Sequence, residues 1–297
     1  MIRSKRDYLI DAVIYAGLLL FAFITLYPFW NSLVISLNAG SDTARGGITF
    51  WPRQFTLENY AVVFRNENIY RAFFITVLRT VVGTALSIFF TAMLAYGLSK
   101  RVVGRRFYML LCIVTLYFSG GLIPTYLLIK NLQLMNTFWV MVIPGMVNVF
   151  HMIIFRTFFM SLPAELEEAA RIDGCSNLGV FFRIVLPLSG PVIATLSLFT
   201  AVYHWNEWFS ASIYISDQRL MPLQTVLAQA INSNLMSEHL SQAGGAASAF
   251  VDKIQQSVTT KSLLMATMVV ATLPIILVYP FIQKYFAKGV MLGSLKE

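Results

Sequence analysis

Six apolar stretches, near residues 12–36, 71–98, 107–129, 137–155, 188–214 and 262–283, dominate this chain of 297 residues. A bilayer core of about 30 Å takes about 20 helical residues at 1.5 Å each, so each stretch is close to or above the length of one crossing. Inside hydrocarbon a segment must satisfy its own backbone groups, which makes these stretches helices. Pro124, Pro144, Gly145, Pro191 and Pro274 fall inside them and are expected to be kinks or close-packing points, not ends. Charged residues make up 12% of the chain and apolar ones 57%. Soluble domains carry about a quarter charged residues, so a soluble surface is out of reach. The expected fold class is an all-α polytopic membrane protein with one transmembrane domain over 1–297.

The first stretch follows Arg3, Lys5 and Arg6. It is too long for a signal-peptide core and lacks a convincing small-residue cleavage site, so it is expected to remain as a span. Lys and Arg set the orientation. With the N-terminus inside, thirteen of them fall on the cytosolic side, including the dense Lys100, Arg101, Arg105 and Arg106 turn, and eight fall on longer outer loops. Charges close to span ends decide orientation, so both termini are expected in the cytosol. The large outer loops are then 37–70 and 215–261. The second, 215–261, has a Ser-, Gly- and Ala-rich middle, Ser241 to Ser248, with little apolar surface, and the whole loop is expected to be ordered only against a partner. No internal repeat is apparent.

Several functions are excluded. The net charge of +8 has no basic stripe interleaved with aromatics, which argues against nucleic acid. Cys112 falls inside an apolar stretch and Cys175 in an expected cytosolic segment, so no disulfide is expected between them. These two sulfurs and three scattered histidines give no metal-ligand spacing. There is no Gly-Lys-Ser or Gly-Lys-Thr to cradle phosphate, no His-Glu-x-x-His and no Gly-x-Ser-x-Gly. The chain is not expected to be an enzyme or to bind a cofactor.

The informative segment is the loop 156–187 between the fourth and fifth stretches. Ser161 is expected to cap a short helix, Pro163 suits its first turn, and Glu165, Glu167 and Glu168 favour the positive end of its dipole. Asp173 and Gly174 stop that helix, with Gly174 in the left-handed position. Ser176 is expected to cap a second helix running to Pro187. The pair Ala169 and Ala170 lets another surface approach closely, while Leu166 and Ile172 offer apolar contact. A rigid helix held between two spans transmits a push to both.

Glu168-Ala169-Ala170, then Gly174, Ile184, Leu186 and Pro187, fit the pattern EAA-x3-G-x9-I-x-L-P. In this the chain resembles the membrane subunits of bacterial binding-protein-dependent ABC importers. The resemblance implies that Glu168, Ala169, Ala170, Asp173, Gly174, Ile184, Leu186 and Pro187 form the segment gripped by the ATPases. It implies a type I importer fold in the bacterial inner membrane, working by alternating access. The implied partners are a second, homologous permease, a pair of ATPase subunits that hold ATP and Mg, and an extracytoplasmic solute-binding protein. Six spans, a large last outer loop and the tail Gln283–Glu297 resemble the second permease of maltose-type carbohydrate importers. Phe118-Ser-Gly-Gly-Leu-Ile-Pro-Thr-Tyr126 and His204-Trp-Asn-Glu-Trp208 resemble the subgroup that handles plant or algal oligosaccharides, acidic ones included.

Polar side chains within spans are the remaining candidates. Arg79 lies in the second stretch, and Glu207 lies near the outer end of the fifth, beside Tyr203, His204, Trp205 and Asn206. Aromatic faces with neighbouring Asn, Glu and His suit a sugar path; an interfacial aromatic belt with a structural ion pair fits the same residues. By residue count Arg79 and Glu207 share the outer leaflet, where an unpaired charge costs about 2.5–3.5 kcal/mol, so they are expected to pair and help close an outer gate. Two other functions stay open: an ABC permease for a different small solute, and an ion-driven secondary transporter, which would need paired acids near the midplane.

Overall fold

The computed structural model describes residues 5–242 and 260–294. They form two compact units, Met1–Ile69 with Leu227–Leu273, and Tyr70–Val226 with Pro274–Glu297. Among the described residues all regular structure is helical apart from a lone antiparallel bridge between Asn38 and Phe55. Among the described residues three helices are long and apolar enough to cross a membrane, or up to six if each of three bent pairs counts as one span.

In the first unit, α1 (Lys5–Ser36) keeps most of its side chains exposed, Leu19 and Phe21 among them. A helix this apolar and this bare is suited to an apolar surrounding. The expected loop 37–70 is built tightly, with α2 (Gly40–Thr43) and α3 (Glu58–Arg65). Its centre is Asn38, which is fully buried. Asn38 Nδ2 donates to Asp42 Oδ2 at 3.0 Å and to Thr43 Oγ1 at 3.1 Å, and its Oδ1 accepts from the Gln54 N–H at 2.8 Å. The Asn38 hydrogen bond, with Arg53 adding its charge, holds the Asp42 carboxyl below the usual carboxylate range. Residues 48–50 fold back along α1, where Asn31 and Trp30 donate to the carbonyls of Thr49 and Phe50 at 3.0 and 2.9 Å. The backbone of this returning segment is thus satisfied by side chains of the helix it covers.

The second unit is organised by α4 (Glu67–Ser99). Ala72, Thr76, Arg79, Gly83, Ser87, Thr91 and Ala95 recur at three- and four-residue spacing and are all buried. A stripe of mostly small side chains lets neighbouring backbones come close, and its hydroxyls bind them. Thr76 Oγ1 accepts from the Leu223 N–H at 2.8 Å, and Thr91 Oγ1 accepts from the Asn148 N–H at 3.2 Å. Two apolar clusters lie along α4. One gathers around Ile75 with Ile129, Val140 and Tyr214; the other runs from Ile88 to Leu98 with Met152, Phe155 and Phe181.

The third, fourth and fifth stretches are not straight spans. α5 (Arg105–Tyr117) and α6 (Leu122–Asn131) meet at 115°. Between them Gly121 has φ 84° and ψ 177°, a conformation open in practice to glycine alone. The fourth begins as short 3₁₀ turns, Phe138–Met141 and Ile143–Gly145, and bends by 49° into α7 (Val149–Ser161), which Asn148 caps by accepting the His151 N–H. α8 (Ala164–Ile172) follows, then α9 (Asn177–Val180), a π turn at Phe181–Val185 and α10 (Leu186–Leu188). The chain then turns 82° into α11 (Gly190–Asn206). Pro144 and Gly145 stand at the 49° bend, where a kink is expected, whereas Pro191 stands at a helix start instead: it occupies the first turn of α11, where no N–H is needed. The fifth helix also stops at Asn206, before α12 (Phe209–Tyr214).

The expectation for 215–261 fails over its first part. A 3₁₀ turn, Gln218–Leu220, leads into α13 (Leu223–Gln242), and Met221, Leu223 and Thr225 are buried. These apolar anchors offset the cost of ordering the chain, and the Ser- and Gly-rich middle has no such anchors. Nearly all of that middle lies outside the described residues. α14 (Thr260–Ser294) completes the fold, with Pro274 in its interior as expected.

Candidate functional site

The loop 156–187 packs its first helix onto the end of α4. Ala170 joins the cluster of Tyr96, Phe159 and Phe181, and Glu167 pairs with Lys100 just beyond α4, whose ammonium lies 4.6 Å from the Tyr96 ring centroid. Arg156 Nε donates to the Leu98 carbonyl at 3.0 Å, satisfying an acceptor in the last turn of α4. Two of these holdfasts are ionic or cationic, and the third is apolar.

The end of α8 has a complete left-handed stop. Asp173 is the C-cap and Gly174 follows with φ 81°. The Gly174 N–H reaches the Arg171 carbonyl at 3.0 Å and the Cys175 N–H reaches that of Ala170 at 2.9 Å, the paired bonds of a Schellman motif. Ser176 Oγ then accepts the Gly179 N–H at 3.2 Å and opens α9. The sequence anticipates Gly174 and Ser176 correctly. It misplaces Ser161, which ends α7 with its hydroxyl donating to the Phe158 carbonyl; Leu162 and Pro163 are extended, as a residue before proline prefers, and Pro163 itself is the N-cap of α8. The two alanines also part company. Successive helical positions differ by 100°, so Ala170 is buried and Ala169 exposed.

What α8 leaves open is Glu165, Leu166, Glu168, Ala169 and Ile172, the last 86% exposed. Ile184 and Leu186 pack against the chain's own core, and Pro187 is exposed in α10. Proline has no N–H and its ring clashes with the carbonyl four residues back; the π turn before it reroutes the ladder at that point. Ile184, Leu186 and Pro187 thus shape the arm, while Glu168, Ala169 and the residues beside them face outward.

Toward the other end of α4, Arg79 is 1% exposed and forms an ion pair with Glu207. Its Nη1 also donates to the Glu207 backbone carbonyl at 2.6 Å, and its Nη2 lies 3.4 Å from Ser210 Oγ. The Glu207 carboxylate accepts the Ser210 N–H at 2.7 Å. Glu207 therefore sits at the break between α11 and α12, taking a donor from the first turn of α12 while Arg79 binds both its carboxylate and its carbonyl. One guanidinium clamps a helix junction.

The neighbouring residues divide. His204 is buried against Gly83, where an added Cβ would come within 2.7 Å of its Nε2. Trp205 is buried with its ring edge-on to Phe73 at 5.9 Å. Tyr203 is 59% exposed, and Asn206 is exposed with Nδ2 donating to the Val202 carbonyl. The sequence does not pair Lys100 with Glu167 and does not single out Arg156, Gly83 or Ser210; the small-residue period of α4 marks Gly83, whereas nothing local singles out Glu167 among three loop glutamates.

Residues 87–292 match the family described as binding-protein-dependent transport system inner membrane component. The polygalacturonan/rhamnogalacturonan transport system permease protein YtcP of Bacillus subtilis is 42% identical, over 98% of this chain and 99% of that protein. The protein LplC of the same organism is 44% identical over 92% of this chain and 90% of its own length. Among solved structures, a chain of a bacterial ABC transporter involved in import of the acidic polysaccharide alginate superposes with a TM-score of 0.85 at 28% identity, over 96% of this chain and 99% of that one.

Proposed function

This chain belongs to the family of binding-protein-dependent transport system inner membrane components, and from that premise we propose that it is one permease subunit of an ATP-driven oligosaccharide importer. The observation that carries the reading is α8, a short helix tied to α4 through Lys100–Glu167 and to the core through Ala170, with a free outward face. A force on that face reaches α4, α7 and the α9–α10 arm together. In this reading the chain crosses the membrane six times with both termini in the cytosol, and loop 156–187 faces partner ATPases, which hold ATP and Mg. A second permease completes the pathway, and a solute-binding protein delivers the sugar to the other side.

Arg79 and Glu207 belong to the outer gate in this account. Their bonds hold the α11–α12 junction against α4 when the path is closed outward, and rearrangement of the pair accompanies opening. Of the expected path residues, Tyr203 and Asn206 are the ones accessible to a sugar; His204 and Trp205 hold the helices together. The relatives' carbohydrate names favour a plant or algal oligosaccharide, with uronic-acid sugars the first to try. An ion-driven carrier is disfavoured because its needed span acid, Glu207, is already neutralised by Arg79.

The test is uptake of labelled oligogalacturonide and neutral oligosaccharides by cells that carry or lack this chain. The proposal expects uptake that requires the chain, the binding protein and the ATPases, and that survives an ionophore while ATP is maintained. Uptake that persists without the ATPases and collapses with the ion gradient would contradict it.

A further inference from the structure

Between α4 and α5 the chain makes a basic turn of which the coupling reading uses Lys100 alone. Lys100 is taken by Glu167, but among the described residues no ion pair or side-chain hydrogen bond engages Arg101, Arg105 or Arg106. Arg101 and Arg105 line a groove of about 1030 Å³ whose walls include Met93, Phe159 and Leu178, with Glu167 and Glu168 on its α8 side. The two arginines also line an adjoining hollow of about 570 Å³ with Arg106 and the turn's own backbone at Gly104. The exposed apolar side chains Phe107, Leu110 and Leu111 continue along α5 from this rim, and Val103 at the tip of the turn is 97% exposed.

The arrangement is amphipathic: three unneutralised guanidiniums at the end of two apolar helices, above a face of bare hydrocarbon side chains. Guanidinium groups bind phosphate in a planar, forked geometry. Basic recesses at the ends of membrane helices hold anionic headgroups while the adjacent apolar surface receives the acyl chains. An acidic protein segment would match the arginines but not the apolar face leading away from them. We propose that Arg101, Arg105 and Arg106 form a binding site for the headgroup of an anionic glycerophospholipid. Because Lys100 ties the same turn to α8, the bound lipid braces the support of that helix; this consequence rests on the coupling reading, whereas the lipid site itself needs only that the chain spans a membrane.

The test uses the assembled importer in nanodiscs of phosphatidylcholine with a minority of phosphatidylglycerol, with retained lipid measured by native mass spectrometry. The variant R101Q/R105Q/R106Q should bind phosphatidylglycerol about a hundredfold more weakly, the combined effect of three basic residues at an anionic surface. R101K/R105K/R106K, which keeps the charges but loses the forks, should bind between wild type and the Gln variant, and the single change Arg106→Gln should lose about fivefold if the triple variant fails to assemble. Equal retention by wild type and the Gln variants would overturn the proposal. So would displacement of the lipid by inorganic phosphate alone, which would mean a free-anion site. Detachment of the ATPases from the Gln variant with lipid retention unchanged would assign the turn to a protein partner and equally refute it.

Discussion

Two ion pairs hang on one helix, and they are built differently. Arg79–Glu207 and Lys100–Glu167 stand about 30 Å apart along α4 at 1.5 Å per residue. The first joins residues far apart in sequence; Arg79 is 1% exposed and its partner 13%. The second leaves Lys100 31% exposed and Glu167 12%. Around Arg79 the guanidinium also takes a backbone carbonyl and a serine hydroxyl, so the charge is embedded in a set of directed bonds. Lys100 has a carboxylate and an aromatic face, on a flexible stem within reach of solvent. The difference teaches where rigidity is held. A forked, buried cation fixes a helix junction in one geometry, whereas a half-open ammonium tethers a helix and still lets it shift.

The largest effect follows from removing the carboxylates. Glu207→Ala leaves Arg79 buried without its counter-charge, a loss on the order of 3–5 kcal/mol. Glu167→Ala leaves an ammonium that reaches water, and screening holds the loss to about 0–1 kcal/mol. Thermal unfolding of the purified complex measures both. Equal losses would erase the contrast between the two ends of α4.

A smaller effect separates strain from coupling at the α8 end. Gly174 has φ 81° and nothing within 4 Å of a would-be Cβ. Gly174→Ala and Gly174→Trp should therefore lose similar stability, about 1–2 kcal/mol, from left-handed backbone alone. Only the tryptophan adds bulk to an exposed surface, so it alone should abolish ATP hydrolysis stimulated by the binding protein. Normal stimulation in Gly174→Trp with intact assembly would remove this surface from the coupling role.

How far these features were legible in the sequence follows from how local their causes are. Gly174, Ser176 and the helix stop at Asp173 depend on adjacent residues, and the spacing exposes them. The Arg79–Glu207 pairing was legible for a different reason: the depth of a charge in an apolar stretch can be counted, and an unpaired one is costly. The bends at Phe118–Gly121, at Ser189–Gly190 and at Glu207 were not legible as bends. Apolar composition says that a stretch avoids water and is silent on its direction, so Gly121 and Pro191 look alike as kinks or as ends. Glu167 was hidden for a related reason, since its partner is set by where α8 lands on α4, which no local pattern records. The split between Ala169 and Ala170 was available from the helical period alone, once the helix was assigned.

Arg79 and Glu207 are proposed to act as one unit holding the α11–α12 junction, with Lys100–Glu167 a looser tether. A pair of double-mutant cycles on ATP-driven uptake tests it directly, with Arg79→Ala and Glu207→Ala in one and Lys100→Ala and Glu167→Ala in the other. The account predicts that each outer single change impairs uptake, that the outer double change costs much less than their sum, and that the inner cycle shows coupling below about 1 kcal/mol. Additive losses for Arg79 and Glu207, or stronger coupling at Lys100–Glu167, would contradict it.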